Sequence, residues 1–156
     1  MVTTGRGSAP LNSTLAGKIM SRRETPMTVW YWEQVGGMLI EEFLIVSKVP
    51  GQGRRLLDGL IVLGGGGRRR MPMGTKFDLE GKDVIVIQTK NSRLGMSLMG
   101  QTVFSAQLVR RFGNPRSVQS DALCAKSDEI LQPMLEANDG CKVVVCPQEI
   151  CQLRSS

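Results

Sequence analysis

A chain of 156 residues, 41% hydrophobic and 22% charged, is long enough to bury one real core and too short for two domains of ordinary size. No apolar run approaches the roughly 18 residues that cross a bilayer, so the composition reads as soluble with no membrane partner. A net charge of +6 favours polyanionic partners, and the lack of any histidine removes Ser/His and Cys/His nucleophile pairs and most zinc sites, which leaves carboxylates, amides, lysine or a hard metal to do any chemistry.

Residues 1–26 are rich in Gly, Ser, Thr and Pro and set Arg6, Lys18, Arg22 and Arg23 against only Glu24. This composition predicts a disordered basic tail. An acid-poor Arg/Ser/Thr leader is also the composition of an organelle transit peptide, so targeting stays open beside a cytoplasmic, reducing setting. From Val29 to Val46, apolar residues at Trp30, Val35, Met38, Leu39, Phe43 and Val46 recur at three- and four-residue steps, predicting an amphipathic helix that carries Glu41 and Glu42. Its last residues, from Phe43 to Val49, are open to a strand reading instead.

Leu56 to Leu63 reads as an apolar strand ending at Gly64-Gly65-Gly66-Gly67, and Arg68-Arg69-Arg70 make the following loop basic. No helix pattern follows those glycines, so they are not a dinucleotide fingerprint. In the strand 83–90, Val84 and Val86 face one way and Ile85 and Ile87 the other; both faces are apolar, which marks a central strand. Asn91 or Ser92 is placed to cap a helix along Leu94, Leu98, Phe104, Leu108 and Phe112, stopped by Gly113 and Pro115. A strand over 118–124, a short helix opened by Ser127-Asp128 and opposed by Pro133, and a strand over 142–146 complete the order. The expected organisation is one α/β domain over 27–150 with a mixed sheet between helices, followed by a short tail over 151–156.

Cys124, Cys141, Cys146 and Cys151 fit no compact CxxC pair. Buried or incidental thiols of a reduced protein are the simpler reading, with an iron–sulfur or zinc site as the alternative. Trp30, Tyr31 and Trp32 read as a core-anchoring patch, with base stacking as the alternative.

Two polar intrusions stand out against this apolar frame. Asp58 puts a lone carboxylate inside a strand, where an unpaired buried charge costs several kcal/mol, roughly, unless it is solvated, paired or metal-bound. Gln88-Thr89-Lys90 closes the central strand with an amide and an ammonium at i, i+2 on one face. Arg54, Arg55 and Arg68 to Arg70 bracket the Asp58 strand, while Arg93, Arg110, Arg111 and Arg116 follow Lys90. The combination points to a cleft at a sheet edge.

A helix with Glu41, a strand with Asp58, and a central strand ending Gln88-x-Lys90 before a long helix resemble the PD-(D/E)XK nuclease superfamily over roughly residues 30–125. The superfamily pattern is a helix Glu, a strand Asp and then Glu-x-Lys. This chain departs from it in two places, since Leu57 precedes Asp58 and Gln88 stands where a carboxylate is usual; Gln-x-Lys occurs in the nuclease subunit of some heteromeric transposases.

The resemblance implies a three-layer α/β/α, restriction-endonuclease-like core with a central mixed β-sheet. It also implies a metal-dependent endonuclease that hydrolyses phosphodiester bonds, in DNA more than in RNA. Mg²⁺ or Mn²⁺ would be held by Asp58, by the Gln88 amide oxygen and by the Thr89 carbonyl. Lys90 would orient the attacking water, take its proton or stabilise developing charge. Glu41 would bind a water of the metal shell or a second ion, with Glu42 as the adjacent alternative.

Arg55, Arg68, Arg69 and Arg70 would contact nucleic acid, Arg93 would meet a phosphate from the first turn of the next helix, and Gln101 is a weaker candidate. A homodimer or a larger nucleoprotein complex is the assembly such a protein would form. Two other readings stay open: a nucleic-acid-binding module of the same fold that has lost catalysis at Gln88, and an α/β domain whose polar strand ends merely reach water.

Overall fold

Gly36 and Gly37 decide where the first helix stops. Both have positive φ, +84° and +83°, a backbone that an L side chain adopts only with strain. In the computed structural model, which describes residues 24–153, helix α1 therefore occupies 24–35 and the chain then turns into strand β1, Met38–Val46. The joint is tied from both sides: the Gly37 carbonyl accepts from the Trp32 indole at 2.9 Å and from the Arg69 amide at 3.1 Å.

The single helix expected over 29–46 is thus a helix and a strand. The two glycines end the helical step that Trp30 and Val35 begin, and Met38 to Val46 takes β geometry. Residues 24–26, expected in the tail, are the first described turn of α1; the rest of that tail lies outside the described residues.

The remaining elements are β2 (Arg55–Val62), β3 (Arg69–Arg70), β4 (Asp83–Arg93), α2 (Met96–Gly113), β5 (Ser117–Lys126), α3 (Leu131–Glu136), β6 (Cys141–Val145) and α4 (Gln148–Cys151). Among the described residues they form one six-stranded mixed sheet in the order β3-β1-β2-β4-β5-β6. β1 with β2 and β2 with β4 run antiparallel; β4 with β5, β5 with β6, and β1 with β3 run parallel.

β4 lies between β2 and β5, and its alternation separates two cores. Val84 and Val86 pack with Met38, Ile40, Leu60 and Val109 of α2, whereas Ile85 and Ile87 pack with Met27 and Tyr31 of α1, Leu39 and Ile61. Both faces are covered, as the apolar pattern requires. A third cluster seats Leu135 of α3 against Leu98 of α2 and Ala122 and Cys124 of β5.

The buried side of α2 differs from the expected stripe. Leu98, Thr102, Ser105, Ala106 and Val109 face inward, while Phe104 and Phe112 are 62% and 47% exposed. Small residues at 102, 105 and 106 let the helix approach the sheet closely, and the bulky rings are left on the outer side. Met96 is likewise exposed, while Met99 packs against the third cluster. The helix also starts later than expected: β4 continues through Asn91, Ser92 and Arg93, and the N-cap of α2 is Gly95, with no side-chain cap.

Asp128 opens the turn before α3 by accepting from the amides of Ile130 and Leu131, both at 2.9 Å, and Pro133 falls within the first turn of that helix, where a missing N–H costs little. Cys151, expected in the C-terminal tail, belongs to α4 and packs on the α1 side of the sheet.

The aromatic patch is structural. Tyr31 is buried and donates its hydroxyl to Asp121, a fully buried carboxylate of β5 that also accepts from Gln119 Nε2 at 2.9 Å. Burial pushes the Asp121 carboxyl up, and the Tyr31 and Gln119 bonds and the Lys142 charge act against that rise. Tyr31→Phe is expected to cost about 1–3 kcal/mol in urea denaturation, because it removes a donor from a buried acceptor; an unchanged midpoint would show that Gln119 alone satisfies the carboxylate.

The four cysteines are free thiols, and no group of three or more carboxylates and thiols among the described residues is arranged to hold a metal. Burial pushes Cys124 up to about 11 and Cys146 up to about 12, which makes both inert at neutral pH. No helix among the described residues is long and apolar enough to cross a membrane.

Candidate active site

Asp58 sits just before the uninterrupted stretch Gly59–Val62 of β2 and faces the C-terminal half of β4. Its Oδ2 accepts from the Thr89 amide at 2.9 Å and from the Thr89 hydroxyl at 3.2 Å. Burial pushes the Asp58 carboxyl above its ordinary range. The two Thr89 bonds hold it down, Glu42 pushes it further up, and the Lys90 charge pulls it back. The Lys90 ammonium, on an exposed residue, therefore acts on this carboxylate through its field.

Gln88 is buried beside it, and its Nε2 donates to Ser105 Oγ of α2 at 2.7 Å. That bond commits the nitrogen and leaves the oxygen as the remaining ligand atom of the amide. The cross-strand register explains the meeting: β2 and β4 pair Gly59 with Ile87, so the next residues along each strand, Asp58 and Gln88, reach the same part of the sheet.

Two clefts share Asp58. The smaller, about 30 Å³, is lined by Glu24, Thr25 and Thr28 of α1, Glu41 and Glu42 of β1, Asp58, Met73 and Thr89. Its volume is on the order of one or two water molecules, the scale of a cation or its bound waters rather than of an organic ligand. The larger, about 390 Å³, opens between β2 and α2 and is lined in part by Arg55, Asp58, Gln88, Gln101 and Phe104.

Glu41 reaches this site from a strand, not from a helix. It is buried, and Arg70 Nη2 lies 2.8 Å from its Oε1, a pair that answers the burial of the charge. Glu42 follows at φ +51°, a left-handed conformation that interrupts the alternation of β1 opposite Asp58. At the first described residue of α1, Glu24 lines the same cleft, and its carboxylate accepts from the Asn91 amide of β4 at 3.4 Å. This helix carboxylate, with Thr25 and Thr28, was hidden by the polar character of the leader. The signal that could have exposed it is the 3.6-residue step from Tyr31 back through Met27.

The arginines divide. Arg55 lines the larger cleft. Arg70 is bound to Glu41, whereas Arg68 and Arg69 lie at the start of β1 and turn elsewhere: Arg69 pairs with Met38, and Arg68 donates to the Glu33 carbonyl at 3.1 Å and sits 5.8 Å from the Trp32 ring centre. Arg93, expected in the first turn of a helix, instead ends β4 opposite Lys126 and donates to the Ser127 carbonyl at 3.3 Å, so no helix N-terminus assists it. Arg116 is tied to Asp83 at the start of β4, away from the site.

One carboxylate oxygen of Asp58 accepts from Thr89. A hard cation placed here would have the other Asp58 oxygen as its one anionic ligand, with the Gln88 amide oxygen and backbone carbonyls as neutral ones. Mg²⁺ accepts one or two carboxylates and keeps several waters, and this set suits that preference.

No protein-family model matches this chain, and neither the curated proteins nor the solved structures contain a match to it.

Proposed function

We propose that the protein is a metal-dependent endonuclease of the restriction-endonuclease-like type, with its site at Asp58, Gln88 and Lys90. The observation that supports this most strongly is a buried carboxamide, Gln88, and the Asp58 carboxylate lining one cleft, with Asp58 shared by a second cleft and within the field of the exposed Lys90 charge. Asp58 stands 30 positions before Gln88 in the chain, and the antiparallel pairing of β2 with β4 is what brings the two together. The order α1, β1, β2, β4, α2, β5, interrupted only by the two-residue β3, and the helices on both faces of the sheet are in keeping with such a fold.

In this reading Asp58, Gln88 and the Thr89 carbonyl would hold Mg²⁺ or Mn²⁺. The ion would supply an activated water and offset charge on the phosphate. Thr89 fixes the Asp58 carboxylate by two hydrogen bonds, and Ser105 fixes the rotamer of Gln88. Lys90 orients the attacking water and stabilises negative charge as it develops. Glu24 takes the place of the helix carboxylate, facing waters in the small cleft, with Glu42 beside it, while Glu41 is held by Arg70 as part of the wall. Arg55 carries the phosphate contact nearest the site. The substrate is DNA before RNA.

The test is a nicking assay on plasmid and single-stranded DNA in Mg²⁺ or Mn²⁺, comparing wild type with Lys90→Ala. The variant is expected to lose about 10²–10³-fold in rate, the scale of removing one group that acts on transition-state charge. Equal rates in both proteins would reject the assigned site.

A second reading is favoured by one observation: no three carboxylates among the described residues converge as a metal cage. A nucleic-acid-binding module without cleavage would need none. It would bind in EDTA, weaken steeply with salt, and cut no substrate.

A further inference from the structure

We propose that the larger cleft receives an unpaired nucleobase stacked on Phe104, so that the nucleic acid acted on has a single-stranded nucleotide beside the bond cut. This rests on the nucleic-acid reading above and names the substrate class of that site.

Phe104 is the least explained side chain of α2. It is 62% exposed on a helix whose buried face is made by other residues, yet it forms part of the wall of a 390 Å³ cleft that Asp58 and Gln88 also line. The cleft is therefore continuous with the candidate site, and its volume lies within the range of small-molecule pockets, roughly 300–1,000 Å³. Leu56, 39% exposed on β2, adds apolar surface to the same cleft.

The polar lining suits a base more than an aliphatic chain. Gln101 is exposed at the cleft and offers both a donor and an acceptor, and Ser105, which accepts from Gln88, retains its own hydroxyl proton as a donor. Such groups read base edges with tolerance for sequence, while Arg55 supplies a phosphate contact at the same opening. A base inside a duplex has both faces covered by its neighbours. Only an unpaired or flipped base can offer a π-face to a phenyl ring within a concave site.

The experiment measures fluorescence anisotropy of a short labelled single strand, the matching duplex, and an abasic strand with the same phosphates, each in Ca²⁺ so that binding is read without turnover. Wild type, Phe104→Ala and Phe104→Trp are compared. The expected result is that wild type prefers the single strand to the abasic strand. Phe104→Ala should lose about tenfold or more on the single strand and nothing on the abasic one, and Phe104→Trp should restore binding.

Equal binding of the abasic and normal strands, or no effect of Phe104→Ala, would overturn the proposal. So would sedimentation showing that Phe104→Ala dissociates a dimer while single-strand binding is unchanged, since the face would then join two copies of this chain. A parallel Mn²⁺ cleavage assay separates the two levels: the Phe104 binding pattern without cleavage on any substrate leaves the base cleft and removes the endonuclease, and Lys90-dependent cleavage without that pattern does the reverse.

Discussion

Asp58→Asn should reduce metal-dependent cleavage by at least about 10³-fold while leaving the protein, in EDTA at pH 8, no less stable than wild type. The two halves come from the same burial. As the one anionic member of the proposed ligand set, Asp58 has no substitute: an asparagine oxygen keeps the shape but removes the charge that draws a hard cation from water. For folding without metal, the same charge is a burden, because burial is the largest influence on this carboxyl and pushes it above its ordinary 3.8.

The sign follows from linkage. A carboxyl whose folded value lies above its unfolded value binds protons more tightly in the native state. Wild-type stability therefore falls as pH rises through the window between 3.8 and the raised value, and is level above it. Asparagine has no proton to lose, so its advantage should be present at pH 8 and shrink as wild type is protonated toward pH 4. Urea midpoints of both proteins across that range check this. An Asn variant that unfolds well before wild type at pH 8 would show that the Thr89 bonds need the charge and that burial is not the dominant influence.

The second large effect is expected far from any charge. Gly37→Ala should destabilise the fold by about 3 kcal/mol, a large part of the 5–15 kcal/mol that holds a typical domain. A Cβ at Gly37 would lie 2.8 Å from Ile61 Cγ2 and 2.9 Å from the Val62 carbonyl, on a backbone already at φ +83°. Gly36 is the control. Its φ is the same within a degree, +84°, and a Cβ there meets nothing within 4 Å. Gly36→Ala should therefore cost only the backbone term, about 1–2 kcal/mol. Equal losses in the two variants would mean that the contact with β2 yields freely. Because the Gly37 carbonyl joins α1 to β3, the backbone shift that a Cβ forces there should also loosen the wall of the small cleft formed by Glu24, Thr25 and Thr28.

These glycines also show where the sequence was readable and where it was not. The alternation Val84-Ile85-Val86-Ile87 announced a central strand buried on both faces, and the structure divides those residues between two cores. Gln88, which closes an apolar run, and Asp58, which interrupts one, line the same cleft across β2 and β4. The extent of the first helix is ambiguous in the sequence because Met38, Leu39 and Phe43 satisfy a helical step as well as a strand with a bulge. The interruption at Glu42, φ +51°, carries no compositional mark.

Glu41 therefore belongs to a strand and not to the helix its spacing suggests, and Glu24, whose surroundings have the composition of a tail, is the carboxylate that α1 carries into the cleft. The inward face of α2 was missed for a related reason. Apolar size suggested Phe104 and Phe112, whereas close approach to the sheet selects Thr102, Ser105 and Ala106. Arg93 was misplaced because β4 runs three residues past Lys90, which spacing could not show. Burial partners such as Ser105 for Gln88 and Arg70 for Glu41 are long-range facts, set by packing across elements rather than by any local pattern.

Anomalous diffraction from crystals soaked in MnCl₂ tests the central claim most directly. A single manganese peak is expected with a carboxylate oxygen of Asp58 and the amide oxygen of Gln88 both about 2.0–2.3 Å away, and the same soak of Asp58→Asn crystals should show none. Manganese bound only at other carboxylates, or no peak beside an ordered Asp58 and Gln88, would contradict the account.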